Sequence, residues 1–357
     1  MISIGNRMKA VIQRFLIRKA GLYMQENNSG IDFVVIWVDG NDPQWRQEKN
    51  RFSPDEAKFN INDVRYRDWD MLHYWFRAVE KYAPWVRKVH FVTCGHVPQW
   101  LNLEHPKLHF VKHSDYIDAE FLPTFSANPI ELNLHRIEGL AEKFVFFNDD
   151  MFLTAPVKEE DYFVDGIPRG VAVLNPPTPN RHGISTIIMN DLGVLADHFD
   201  FKTQFKANWK KWLHPIYGIQ NLRTLLLLPW RRFLGFYDMH LPSAFLKSTF
   251  EEVWDQEEAL LRKVSSHRFR DDADLNQYLM MYWQIAKGTF VPGTPKIGRM
   301  FDVSFENIDQ VADVIRNQKM KMVYINDTEK IGDFTQLRQK LVDAFDCTLK
   351  EKSSFEK

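Results

Sequence analysis

The sequence has very few cysteines and no long apolar run. Cys94 and Cys347 are its two cysteines, too few for a disulfide framework or a four-cysteine zinc site. The longest apolar cluster, 225–228, is closed by a proline and two arginines, far short of the roughly 20 apolar residues that a membrane-spanning helix needs. Basic residues interrupt the apolar runs of the first 20 residues, so we expect no signal peptide. These absences predict a protein of the reducing cytoplasm.

The chain also lacks a strong net charge. It carries 46 Lys plus Arg and 47 Asp plus Glu, a balance that excludes a uniformly basic, nucleic-acid-binding protein. The charge is nevertheless uneven, because 201–237 carries seven basic and no acidic residues, and 1–30 carries five basic residues and one glutamate. These two segments predict either solvated helix faces or contact with a phosphodiester polymer or an anionic membrane, such as the inner face of the plasma membrane.

Nor does the sequence contain a glycine-rich phosphate loop, an HExxH motif or a Ser-nucleophile elbow. What it does contain are short apolar runs typical of buried strands, at 31–38, 88–93, 107–112, 143–147 and 321–325. Segments with helical character lie at 67–83, 240–262, 265–288, 305–318 and 333–346. Asp68 or Asp70 is the expected N-cap of the first, and Asp271 or Asp272 that of the third. The alternation predicts an α/β fold with an open, mostly parallel sheet flanked by helices.

Acid–amide clusters follow three of the predicted strands, as DGNDP at 39–43, NDD at 148–150 and ND at 326–327. Ligands of open α/β sheets bind beyond the carboxyl ends of the strands, so we expect the clusters to converge. The paired carboxylates Asp149 and Asp150 suit Mg²⁺ or Mn²⁺ on a diphosphate, with Asp327 as a further ligand. The alternative is an ordinary capped turn at each strand end.

Arginines and one histidine complete the candidate site. Arg65, Arg67, Arg268 and Arg270 carry guanidinium groups that match phosphate oxygens in bidentate geometry. His240 is a candidate general base for a hydroxyl because histidine titrates near neutral pH. Salt-bridged helix starts and a structural histidine are the alternatives. Together the residues predict a metal-dependent enzyme that acts on a phosphorylated or nucleotide-sugar substrate.

The predicted organisation has three parts. Residues 1–30 form a basic amphipathic segment, which is either packed on the body or placed at a membrane surface. Residues 31–345 form the catalytic domain, with a helical, aromatic insertion at 169–237, and 346–357 form a tail. Aromatic residues make up 14% of the chain, which is compatible with a homodimer, although no motif specifies one.

These motifs resemble the four characteristic regions of the Stealth family of hexose-1-phosphate transferases. That family includes bacterial capsular polysaccharide phosphotransferases and the animal N-acetylglucosamine-1-phosphotransferase. The similar stretches, in order, are IDFVVIWVDGNDPQW at 31–45; 64–101 with HRIEGLAEKFVFFNDDMFL at 135–153; HLPSAFLKSTFEEVW at 240–254 with SHRFRDDADLNQYL at 266–279; and MVYINDT at 322–328.

The resemblance implies a nucleotide-sugar transferase architecture related to GT-A. It implies transfer of a hexose 1-phosphate, such as N-acetylglucosamine 1-phosphate, from a UDP-sugar to an acceptor hydroxyl with release of UMP. The acceptor would be a polysaccharide or a lipid-linked oligosaccharide in capsular or exopolysaccharide synthesis. A glycosyltransferase that releases UDP and a non-catalytic carbohydrate- or membrane-binding protein are the alternative hypotheses.

The resemblance also implies roles for individual residues. Those expected to bind substrate are Trp37, Asp39, Gly40, Asn41, Arg65, Asp68, Asn128, Glu131, Asn148 and Asn326. Those expected to hold the metal are Asp149, Asp150 and Asp327. Those expected to act in catalysis are His240 as base, Arg268 and Arg270 on phosphate charge, and Asp274 in support of the arginines.

Overall fold

The fold is built on a five-stranded sheet. The computed structural model describes residues 30–53, 67–180, 183–327 and 333–357. Its strands are β1 (Ile31–Ile36), β2 (Val89–Thr93), β3 (Leu108–Lys112), β4 (Lys143–Asn148), β5 (Met151–Leu153), β6 (Phe163–Val164), β7 (Ile167–Gly170), β8 (Ser243–Leu246), β9 (Val291–Pro292), β10 (Gly298–Asp302) and β11 (Met322–Asn326). The large sheet has the order β3-β2-β1-β4-β8. Its first four strands are parallel and β8 is antiparallel to β4.

Ten α-helices surround this sheet within the described ranges. They are α1 (Pro43–Phe52), α2 (Leu72–Tyr82), α3 (Ala127–Leu132), α4 (Ile184–His198), α5 (Phe201–Trp212), α6 (Gln220–Leu227), α7 (Lys247–Ser265), α8 (Tyr278–Lys287), α9 (Ile308–Arg316) and α10 (Phe334–Leu349). The predicted α/β fold with a mostly parallel, helix-flanked sheet is therefore confirmed.

Both faces of the large sheet are buried, which explains why its strands read as continuous apolar runs. In β1, Phe33 and Val35 face one core with α2, α9 and α10, whereas Val34 faces a second core with α7 and α8. Strand β4 alternates in the same way, with Phe147 in the first core and Phe146 in the second. The sheet is thus fixed from both sides, and its carboxyl edge forms a rigid base for the residues that follow each strand.

The fifth predicted strand lies in a different sheet. β11 pairs in parallel with β10 and antiparallel with β5, which follows β4 after a two-residue turn. This small sheet abuts the carboxyl edge of the large one. The end of β11 therefore also lies at that edge, although β11 is not a strand of the large sheet. A third small sheet contains β6, β7 and β9.

Two helix predictions were wrong in their bounds. The 240–262 segment opens with the short strand β8, and α7 begins only at Lys247. The 265–288 segment is irregular up to α8, which begins at Tyr278, so Asp271 and Asp272 do not cap it. Gly288, with a φ of +81°, ends this helix. Helix α2 likewise has no side-chain cap from Asp68 or Asp70.

The remaining segments are placed as follows. Residues 1–29, with the predicted amphipathic helix, lie outside the described residues, and 169–237 contains α4, α5 and α6. Helix α10 runs through the expected boundary at 346 to Leu349, and Phe355 is buried in the core. The described ranges hold no helix with the length and apolar character needed to cross a membrane.

Candidate active site

Three strand ends meet at one edge of the fold. Ile36 of β1 lies beside Asn148 of β4 in the parallel register, so the residues after each strand are neighbours. The backbone carbonyl of Asp150 accepts a 2.9 Å hydrogen bond from the N–H of Ile325, which draws the end of β11 alongside. The acid–amide clusters after β4 and β11 therefore face one space, although β11 belongs to the small sheet and pairs with β5. The cluster at 39–43, which was also expected to converge here, does not line this space.

That space is a cavity of about 460 Å³. This volume lies within the roughly 300–1,000 Å³ typical of small-molecule sites. The predicted site residues that line it are Trp37, Asp68, Glu131, Asn148, Asp149, Asp150, His240, Arg270, Asn326 and Asp327. Trp45, Phe125 and Phe269 add aromatic surface, so the cavity combines acidic, basic and aromatic walls.

Asp149 and Asp150 are adjacent carboxylates in a desolvated setting. Burial raises the pKa of Asp149 well above its ordinary value, and the charges of Asp150 and Asp68 raise it further. Burial also raises the pKa of Asp150, against the favourable charge of His240. Two neighbouring carboxylates that both resist ionisation are stabilised by a cation.

The paired carboxylates of Asp149 and Asp150 have the chemistry of a partial site for a divalent cation. The Oδ1 atom of Asp150 is buried and has no hydrogen-bond partner among the described residues, which leaves a lone pair for a ligand. No group of three His, Cys, Asp or Glu side chains in the described ranges forms a complete protein-built metal site. An aspartate pair fits Mg²⁺ or Mn²⁺ that also binds substrate phosphates, because Mg²⁺ commonly takes one or two carboxylates and completes its shell with phosphate and water.

His240 is held by two partners that the sequence analysis did not include. Its Nδ1 lies 3.1 Å from Oδ2 of Asp238 and 2.7 Å from the hydroxyl of Tyr278. We assign the ring proton to Nδ1, because the Asp238 carboxylate can only accept, which leaves Nε2 as the basic nitrogen. Burial lowers the pKa of His240, but the hydrogen bond and charge of Asp238, with the charges of Asp150 and Glu131, outweigh burial and raise that pKa.

Strand β8 explains how His240 reaches the site. Ser243 pairs with Phe146 in the antiparallel register, so the residues that precede β8 lie at the carboxyl end of β4. His240 has a φ of +50° in the turn before the strand, and the Asp238 side chain accepts from its backbone N–H at 2.8 Å. Had 240–262 been one helix, as the sequence suggested, this register would not place the imidazole beside Asp150.

Glu131 and Arg270 form another part of the cavity wall. Glu131 is buried, and burial raises its pKa to about 7, against the backbone N–H of Gln277 and the charges of Arg270 and His240. Arg270 makes no hydrogen bond or ion pair with any described residue, so its guanidinium is available to a ligand. A cation and a carboxyl that holds a proton near neutral pH suit a substrate with phosphate and hydroxyl groups.

Asp274 and Asn128 lie behind this wall. Asp274 is fully buried and accepts hydrogen bonds from Asn128 Nδ2 at 2.7 Å, the Asp271 N–H at 3.0 Å and His267 Nδ1 at 2.7 Å. Neither Asp274 nor Asn128 lines the cavity. Their bonds fasten the irregular 267–277 segment, which carries Arg270, to helix α3, which carries Glu131. Asp274 and Asn128 therefore position residues of the cavity wall and do not face the cavity themselves.

Several other predicted residues also lie off the cavity. Asp39, Gly40 and Asn41 shape the turn before α1, where Asn41 N–H donates to Asp39 Oδ1 at 2.8 Å. Arg268 packs its guanidinium 4.7 Å from the ring centroid of Phe52 and does not line the cavity. Arg65 lies outside the described residues.

The end of β11 carries its own polar contacts. The Asp327 carboxylate pairs with Arg67 at 3.3 Å, and Asn326 Nδ2 donates to Asp302 Oδ1 at 2.6 Å. Asn326, the last residue of β11, and Asp327, which follows it, both line the cavity, and the Asp327 carboxylate is already paired with the Arg67 guanidinium. Arg67 is thereby fixed at the cavity wall next to Asp68.

Of the residues that sequence reasoning missed, Asp238 had a recognisable signal. It precedes the candidate base by two residues, and an acid beside a histidine is the usual means of orienting an imidazole. Tyr278 offered no such signal, because it is one aromatic residue among several in a segment that was predicted to be helical.

Comparison with known proteins identifies a family and several relatives of this chain. The family pattern described as Stealth protein CR2, conserved region 2, matches residues 65–169. A capsular polysaccharide phosphotransferase, WcwK of Streptococcus pneumoniae, is 40% identical over 93% of this chain and 99% of its own. The receptor polysaccharide phosphotransferase WefC of Streptococcus gordonii is 44% identical over 91% of this chain and 98% of its own. The exopolysaccharide phosphotransferase cps2G of Lactiplantibacillus plantarum is 37% identical over 92% of this chain and 96% of its own.

Relatives named as phosphotransferases, at 37% to 44% identity over 91% to 93% of this chain, show an enzyme of the transferase class. The chain belongs to the Stealth family, and it is a phosphotransferase. The resemblance inferred from the four sequence regions is thus confirmed, and the hypothesis of a non-catalytic binding protein was wrong.

Proposed function

We propose that this enzyme transfers a hexose 1-phosphate from a UDP-sugar to a hydroxyl of an acceptor sugar in capsular or exopolysaccharide synthesis. The observation that carries the proposal is the shared cavity of His240 and the Asp149–Asp150 pair. His240 would supply a base for an alcohol, and the aspartate pair would supply carboxylates for a cation on a diphosphate. The names of the WcwK, WefC and cps2G relatives support the same class of reaction.

The proposed reaction is a displacement at the β-phosphorus of the donor. The acceptor oxygen attacks the β-phosphorus of the donor, and the bond from that phosphorus to the oxygen bridging the two phosphates breaks. UMP leaves with the bridging oxygen, and the sugar phosphate is joined to the acceptor as a phosphodiester. The alcohol proton passes to Nε2 of His240, whose ring Asp238 orients through Nδ1.

The protein contributes charge and orientation to this displacement. Arg270 would bind oxygens of the transferred phosphate, where negative charge develops. Asp149 and Asp150 would hold Mg²⁺ or Mn²⁺, which when bound supplies charge neutralisation to the diphosphate. Trp37 and Asp68 line the same cavity and would contact the donor, while Glu131 would hydrogen-bond to a sugar hydroxyl.

The acceptor is proposed to be a growing polysaccharide or a lipid-linked oligosaccharide on the cytoplasmic side of the membrane. The cavity would admit one sugar diphosphate, and the acceptor hydroxyl would approach from the His240 side. Asn148 and Asn326 offer amide groups at the two strand ends for donor or acceptor hydroxyls.

Identification of the released nucleotide tests the proposal. The enzyme is incubated with a panel of UDP-sugars, Mg²⁺ and acceptor fragments, and the nucleotides are separated by anion-exchange chromatography. Attack at phosphorus yields UMP, whereas a glycosyltransferase reaction at the anomeric carbon yields UDP. A His240→Ala variant that stays folded serves as control and should release neither nucleotide above background. UDP as the sole acceptor-dependent product would overturn the proposal.

A further inference from the structure

An apolar stripe lies exposed on α6 and at the two ends of this helix. It comprises Ile219, Leu222, Leu225, Leu226 and Trp230, which are 50% to 85% exposed. Leu222, Leu225 and Leu226 share one face of α6 because their spacing is i, i+3 and i+4, and Ile219 and Trp230 flank the two ends of the helix. Large exposed apolar surface on one element is unusual for a folded protein and marks an interaction site. We propose that this α6 stripe binds the surface of a membrane that contains anionic lipid.

The opposite side of α6 is fixed to the protein, so the stripe faces outward. Thr224 is fully buried, and its hydroxyl accepts a hydrogen bond from the Leu174 N–H at 3.1 Å. Arg223 donates to Asn175 Oδ1 at 2.7 Å from the same side. Helix α6 is therefore anchored to the protein on one side and exposes the leucines of the stripe to solvent on the other.

Positive charge accompanies the stripe. The segment 201–237 contains seven Lys and Arg and no Asp or Glu, although the whole chain has a formal charge of −1. Arg231 and Arg232 directly follow Trp230, are exposed, and form no ion pair with any described residue. Exposed Lys206 and Lys210 lie on α5, the preceding helix of the same segment.

An anionic bilayer matches both properties at once. Its acyl region accepts the leucines, its headgroup region suits Trp230, and its phosphates attract the arginines. A second copy of the chain docked through the same face would set the basic residues of both copies against each other. A soluble polyanion would neutralise the charge but leave the aliphatic side chains in water. The proposal does not depend on which bond the enzyme cleaves.

Vesicle sedimentation of the full chain tests the proposal. Phosphatidylcholine vesicles with and without phosphatidylglycerol are compared at low and high salt. Wild-type protein should sediment with the anionic vesicles, and less of it should do so at high salt. The double substitution Arg231→Gln/Arg232→Gln should weaken binding roughly tenfold or more. The control Arg316→Gln/Lys350→Gln removes two exposed cations elsewhere and should bind like wild type.

A second pair of variants tests the apolar part. Leu226→Ser/Trp230→Ser should lose binding even at low salt, whereas Leu103→Ser/Phe305→Ser, at exposed apolar positions elsewhere, should retain it. All four variants should keep wild-type turnover on soluble acceptor fragments. Three results would each overturn the proposal: no binding to anionic vesicles at low salt, equal binding by stripe and control variants, or loss of a dimer in the apolar variant with vesicle binding unchanged.

Discussion

The Oδ2 atom of Asp238 lies 3.1 Å from Nδ1 of His240. The two residues are separated by one position, and the same carboxylate also accepts from the backbone N–H of His240. This double contact fixes both the turn and the ring, so that the basic nitrogen is Nε2. Asp238 is accordingly a positioning residue that acts through His240.

Replacing Asp238 by Asn should lower both the rate and the pH at which the rate falls. Nε2 of His240 must be unprotonated to accept a proton, so activity declines as the pH falls through the raised pKa of His240. Asp238→Asn removes the charge that raises this pKa, so the acidic limb of the kcat profile should move to lower pH. We expect kcat to fall roughly 10–100-fold. An unshifted acidic limb, with the fold intact, would remove Asp238 from this role; Asp255→Asn, at an exposed position, is the control.

Replacing Asp150 by Asn should abolish most activity without unfolding the protein. Burial and neighbouring charge already disfavour two carboxylates here, so loss of one charge leaves a stable fold but a poorer cation site. We expect turnover to fall roughly 10²–10³-fold, with more Mg²⁺ needed for half-maximal rate. Steady-state assays across Mg²⁺ concentrations check this, with exposed Asp197→Asn as control. Unchanged Mg²⁺ dependence in a folded variant would contradict the assignment.

The two arginines of the 267–277 segment should differ in their effects. Arg270 lines the cavity, whereas Arg268 packs on Phe52 and donates to the carbonyl of Leu122 at 3.4 Å. Lysine keeps the charge but loses the bidentate fork, so Arg270→Lys should lower kcat/KM roughly 10²-fold. Arg268→Lys should lower it less than about tenfold. Equal losses in the two variants, measured with the same donor, would refute the distinction.

Glu131 should make the protein less stable as the pH rises. Its folded pKa is raised from 4.5 to about 7, so the proton is bound more tightly in the folded chain than in the unfolded one. The resulting stabilisation is present below the unfolded pKa and is lost as the pH rises through the folded pKa. The difference in free energy of unfolding between Glu131→Gln and wild type should therefore change in favour of the variant. We expect a change of roughly 2–3 kcal/mol as the pH rises from about 5 to about 8.

Urea unfolding at the two pH values measures this difference. Glu104→Gln, which replaces an exposed glutamate, should show the same pH dependence as wild type. A Glu131→Gln curve parallel to that of wild type would show that Glu131 ionises normally in the folded chain.

The pattern of apolar residues in the sequence predicted the buried strands. The five apolar runs all formed strands within one or two residues of their expected bounds, because strands buried on both faces carry a continuous apolar signal. Strand β8 was missed because Ser243–Leu246 has only four residues and leads directly into a helix. The direction of β8 could not be deduced from local pattern, since it depends on pairing with β4.

Side-chain direction in irregular segments was equally hard to predict. Arg268 and Arg270 are two positions apart in one motif, yet only Arg270 faces the cavity. Which one does so is decided by Asp274, whose hydrogen bonds to Asn128 and His267 fold the segment. Such long-range bonds leave no mark on local periodicity, so motif resemblance named both residues while the structure separates them.

The fate of the β-phosphorus distinguishes transfer of a sugar phosphate from transfer of a sugar alone. A UDP-sugar with radioactive phosphorus in its β-phosphate is incubated with enzyme, Mg²⁺ and acceptor, and the acceptor product is isolated. Transfer of a hexose 1-phosphate predicts that the label is recovered in the acceptor, as a phosphodiester that resists phosphatase. Label recovered wholly in UDP, with an unlabelled glycosylated acceptor, would contradict the account.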